Sequence, residues 1–87
     1  MRPGEVAGEA QRQVEELTGH APETVSGLHG DDGTWVVLVE ALELERTPNT
    51  MDLLGSYEVT LDDGGELTGF RRLRRYHRAS TRSGEGD

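Results

Sequence analysis

The chain has 87 residues, 32% of them apolar, and no cysteine. That is enough for one small domain, and it excludes thiolate catalysis, Cys-based zinc sites and a disulfide framework. Its formal charge of −8 is unevenly spread. Residues 1–70 hold three Arg against fifteen Asp and Glu, whereas residues 71–87 hold six Arg against two acidic residues. An acidic body with one basic stripe is built to attract acidic partners to that stripe and repel them elsewhere.

No signal-peptide pattern opens the sequence and no apolar run is long enough for a membrane span, so the expectation is a soluble, cytoplasmic domain without a membrane partner. Val6, Ala10, Val14 and Leu17 recur at helical spacing and predict an amphipathic helix from about Val6 to Thr18. Gly19 stands where a helix closes and Pro22 prevents its return. A short strand follows over about Thr24 to His29, then a turn at residues 30–33 (GDDG).

The run from Trp35 to Glu45 starts with Trp35, Val37 and Val39 on one face and ends with Leu42 and Leu44 on the other parity. Two arrangements fit: a bulge near Ala41 that turns both sets inward, or a strand with Val36 and Leu38 also covered. A Pro/Asn loop, residues 46–50, leads to a strand over Leu53 to Asp62. There Leu53, Gly55, Tyr57, Val59 and Leu61 alternate with Ser56, Glu58 and Thr60. DDGG makes the next turn, and a last strand runs from about Glu66 to His77, carrying Leu67, Phe70, Leu73 and Tyr76. Successive strands joined by short turns predict an antiparallel meander. The fold class expected is α+β: an N-terminal helix on one face of a four-stranded sheet spanning residues 1–78, followed by a disordered polar tail, 79–87.

Three blocks in the second half form a familiar pattern. Trp35 to Glu40 followed by Glu43, Arg46 and Pro48 is similar to G-W-x-V-x-V-E…E-x-x-R-x-P, with Thr34 in place of the glycine. Asp52 to Asp62 resembles D-x-L-A-x-Y-E-V-x-L-D, with Gly55 where Ala is usual. Gly65 to Tyr76 resembles G-E-L-x-G-Y-x-R-x-x-R-Y, with Phe70 in place of Tyr. With their order and spacing kept from about Val14 to Arg78, these blocks resemble the gas vesicle synthesis family GvpO. The resemblance implies a cytoplasmic, vesicle-associated accessory protein whose partners are other gas vesicle proteins, both shell and accessory. It brings no catalytic residues.

The candidate partner-binding residues are Arg71, Arg72, Arg74, Arg75 and Tyr76 on the last strand, with Arg46 in the loop. Strict alternation would point Arg72, Arg74 and Tyr76 one way and Arg71, Leu73 and Arg75 the other. The competing role is structural: the arginines pair with carboxylates of neighbouring strands such as Glu58 or Glu43. A third role, in a different class of function, is single-stranded nucleic-acid binding or regulation, with Phe70, Tyr76 and Tyr57 stacking bases between the arginines. The acidic balance of the body argues against it. His20, His29 and His77 lack metal-ligand spacing, the DDG runs lack a calcium-loop pattern, and no serine sits in a nucleophile context. No cofactor, metal or catalytic residue is called for. An unpaired edge strand also offers a route to a homodimer.

Overall fold

The computed structural model describes residues 1–78, so the expected tail lies outside the described residues. Helix α1 (Pro3–Thr18) is followed by four strands, β1 (Ala21–Asp31), β2 (Thr34–Leu44), β3 (Leu53–Asp62) and β4 (Leu67–His77), with one 3₁₀ turn at Asn49–Met51. The strands form one antiparallel sheet in the order β1-β2-β3-β4, and α1 packs on one face of it. This is the expected α+β meander.

The helix begins three residues earlier than its apolar stripe. Pro3, which has no N–H, occupies a first-turn position whose N–H would find no acceptor within the helix, and the Glu5 carboxylate accepts the Arg2 backbone N–H at 3.1 Å. Gly19 ends it in the left-handed conformation (φ 77°), giving its N–H to Glu15 O at 2.8 Å. Val6, Ala10 and Val14 are fully buried, but Leu17, the fourth residue of the expected stripe, is 51% exposed. The helix meets the sheet mainly through its first three turns.

Beneath it lie Val37, Val39 and Ala41 of β2 and Tyr57, Val59 and Leu61 of β3, with Val25, Trp35, Leu67 and Phe70 packed at the margin. Trp35 is thus a half-buried rim residue. Its ring lies so close to Gly30 that a Cβ there would come within 2.7 Å. The β1–β2 turn places both Asp32 (φ 52°) and Gly33 (φ 80°) at positive φ, the backbone twist that two-residue hairpins require. In the β3–β4 turn, Asp62 Oδ1 accepts the N–H groups of Gly64 and Glu66, both at 2.9 Å.

The β2 irregularity lies at Glu43, between the pairs Leu42↔Leu54 and Leu44↔Leu53, and not near Ala41. Ala41 itself is buried beneath the helix. Leu42 faces away from α1 beside Leu54, and Leu44 is exposed, so neither leucine is turned into the core. What the bulge brings inward is a carboxylate.

Candidate functional site

A second bulge decides how the arginines point. Arg74 pairs with Ser56 and Arg72 with Tyr57, leaving Leu73 as the extra residue of β4. Strict alternation therefore fails there. Arg71, Arg74 and Tyr76 share the face opposite α1, while Phe70, Arg72 and Arg75 share the helix face. Leu73 is 43% exposed. Such a bulge leaves no mark in a residue pattern, because arginine is compatible with either face.

On the helix face the inward-turned Glu43 gathers these residues. Its side chain is only 3% exposed, and it accepts hydrogen bonds from Tyr57 Oη, from Arg75 Nε at 2.7 Å and from Arg72 at 3.4 Å. A Cβ at residue 55 would overlap this carboxylate and sit 3.0 Å from the Tyr57 ring. Gly55, having no Cβ, thereby gives Glu43 its seat. Burial raises the Glu43 pKa, but the Tyr57 hydroxyl and Arg75 outweigh it, and the carboxyl titrates below its ordinary value. Burial and the neighbouring carboxylate together push the Tyr57 phenol up to about 12. A cleft of ≈ 220 Å³ lined by His20, Glu43, Leu44, Leu53 and Arg75 opens beside this group.

On the opposite face Glu40 of β2 plays the corresponding part. It accepts from Ser26 of β1 at 2.6 Å, Ser56 of β3 at 2.5 Å and Tyr76 of β4 at 2.5 Å, so one carboxylate joins all four strands. Burial raises its pKa, but the three hydroxyls and the charge of Arg74 outweigh it, and the net shift is downward. Tyr76 is pushed up to about 12 by burial and then by Glu40. The Arg74 guanidinium lies 4.6 Å from the centre of the Tyr76 ring, a cation–π contact. Arg71 Nε donates to Glu58 at 2.9 Å.

Arg46 stands apart from the strand arginines. Its backbone N–H donates to the buried Asp52 at 2.8 Å, and its side chain lines an open cleft of ≈ 430 Å³ with Glu45, Thr47 and Met51. Asp52 is held below its ordinary pKa first by that N–H and then, against burial, by Arg78. Arg78 was not singled out from the sequence, yet it donates to Asp52 at 3.0 Å and in bidentate fashion to Glu23 at 2.8 and 3.1 Å. No local signal marks it, because its partners lie 26 and 55 residues away.

The expected pairing with neighbouring carboxylates is formed by Arg71, Arg72 and Arg75, each of which bonds Glu58 or Glu43, while Arg74 lies over the Tyr76 ring with its charge acting on Glu40. All four remain exposed. The three aromatics named for base stacking do not converge. Tyr57 is buried on the helix face with Phe70 stacked on it at 5.5 Å, and Tyr76 is on the other face with its ring covered by Arg74. Among the described residues no cluster of His, Asp and Glu could hold a metal ion, and no helix is long and apolar enough to cross a membrane.

These features define a small α+β domain in which one helix covers one sheet face and an arginine-rich edge strand is tied to carboxylates of the strands beside it. The sequence profile of the family described as "Gas vesicle synthesis protein GvpO" matches residues 1–82, and the chain belongs to that family. It is 51% identical over 76 residues to "Gas vesicle protein O" of Streptomyces sp. (strain CB03234), covering 87% of this chain and 59% of that protein. It is 36% identical over 69 residues to "Gas vesicle protein O1" of Halobacterium salinarum, covering 79% and 58%. To "Gas vesicle protein O" of Haloferax mediterranei it is 36% identical over 72 residues, covering 83% and 50%. The aligned part is therefore between half and three-fifths of each relative's length. No solved structure matches the chain.

Proposed function

We propose that this domain serves gas vesicle formation by binding other gas vesicle proteins, shell or accessory, without performing chemistry on a substrate. The observation that carries the reading is the sheet face left uncovered by α1, which carries the exposed Arg71 and Arg74 beside a strand edge that also holds Arg72 and Arg75, in an otherwise acidic molecule. Family membership supports a setting in gas vesicle formation. Structural pairing of the arginines does not compete with recognition. A guanidinium has five donors, and Arg71 and Arg75 each donate to their carboxylate through Nε.

The test is co-purification with the other vesicle proteins co-expressed. Arg71→Glu and Arg74→Glu are the informative changes, since both side chains are exposed and neither bonds the buried Glu43. Together they are expected to abolish capture while the circular dichroism spectrum is unchanged. Undiminished capture by the folded double variant would overturn the reading.

A further inference from the structure

We propose that β4 receives an acidic, extended segment of a partner protein as a fifth strand. This rests on the reading of the domain as a protein-binding module and names the kind of partner and its mode of attachment. Among the described residues β4 pairs only with β3, so from Phe70 to Tyr76 its outer row of backbone N–H and C=O groups has no strand beside it. The extra residue at Leu73 distributes the arginines over both sides of this edge, Arg71 and Arg74 opposite α1 and Arg72 and Arg75 beside it. A helix or loop lying on one sheet face would meet only one of these pairs. A strand added along the edge projects side chains alternately to both faces and meets all four.

The guanidiniums are positioned for such a ligand. Arg71 and Arg75 are fixed through Nε by Glu58 and Glu43, which leaves their terminal NH1/NH2 ends for a second carboxylate. Arg74 is oriented by the Tyr76 ring. The same row disfavours a second copy of β4 in one register. Antiparallel self-pairing centred on Leu73 would set Arg72 against Arg74 and Arg71 against Arg75, like charges directly opposed. The other edge, β1, carries Pro22, which has no N–H to give, and neither Lys nor Arg. An edge homodimer, the other arrangement expected from the sequence, would therefore avoid this register of β4.

The experiment measures fluorescence anisotropy of a labelled Glu/Val/Thr peptide with carboxylates on both strand faces. The comparison probes are the same peptide with alternate backbone amides N-methylated, its Lys counterpart, and a single-stranded oligouridylate. The acidic peptide should bind at low salt and the Lys peptide should not. N-methylation should weaken binding at least about tenfold, and so should Arg74→Gln and Arg72→Gln, one from each face. The N-methyl comparison uses the unaltered protein and does not depend on any variant folding. Equal binding of the N-methylated peptide would overturn the inference. So would weakening by Arg74→Gln alone, binding of the oligouridylate in place of the peptide, or a failure to bind with a dimer of the free protein seen by sedimentation. Loss of vesicle-protein capture with peptide binding intact would instead count against the vesicle setting.

Discussion

Two tyrosines, Tyr57 and Tyr76, lie on opposite faces of the sheet and do the same thing: each gives its hydroxyl to a glutamate of β2. Each pair joins a phenol, buried at Tyr57 and half-buried at Tyr76, to a carboxylate, and both phenols are held near 12 in place of 10.0. The folded state therefore keeps these protons longer than the unfolded chain. The corresponding stability is complete below about pH 10 and is lost as pH rises from 10 toward 12. In a spectrophotometric titration neither tyrosine should ionise near pH 10. Glu43→Gln should move one chromophore, and only one, to lower pH, because it removes the negative neighbour of Tyr57 alone.

At the scale of the element, the β4 bulge separates two kinds of sequence information. Residues that flank Leu73 keep the faces they would have in a regular strand lacking it, because the bulge adds one residue without exchanging the partners on either side. Deleting Leu73 should therefore leave the Glu58–Arg71, Glu43–Arg75 and Glu40–Tyr76 contacts formed and cost no more than about 1 kcal/mol in urea unfolding. Unfolding by several kcal/mol would show that the irregularity itself holds the strand. The same element shows what was legible beforehand. β3 alternates without a bulge, and its bounds and both faces could be read directly from Leu53 to Asp62. The helix, the strand order and the turns were legible because glycine, proline and apolar period carry them. The bulges at Glu43 and Leu73 were not, since they are fixed by cross-strand pairing. The Glu58 and Glu43 pairings were foreseeable as a class, because acidic β2 and β3 positions face a basic strand. The bond from Arg78 to Glu23 needed coordinates.

For the molecule as a whole, the three blocks that resemble the family pattern are largely each other's partners. Glu43 meets Tyr57, Arg72 and Arg75, Glu40 meets Tyr76, and Asp52 accepts the N–H of Arg46. The first block supplies carboxylates, and the last supplies the cations and phenol that receive them. This arrangement ties a domain with few large buried side chains across its strands at both faces, and among the described residues no buried side-chain polar atom is left without a partner. Charge remains on the outside of β4, where the guanidiniums project from an acidic body.

Glu40 carries a consequence for the order of events in folding. Its partners lie 14, 16 and 36 positions away, one on each of the other three strands, so the full set of bonds exists only after β4 has docked. Sequence separations of this size predict contacts that form on the native side of the barrier. Replacing Glu40 by Gln should steepen the loss of native protein by raising the unfolding rate several-fold, about 1 kcal/mol in barrier height. Stopped-flow refolding of the variant should overlay that of the unaltered chain, and a slowed refolding limb would place Glu40 in the nucleus.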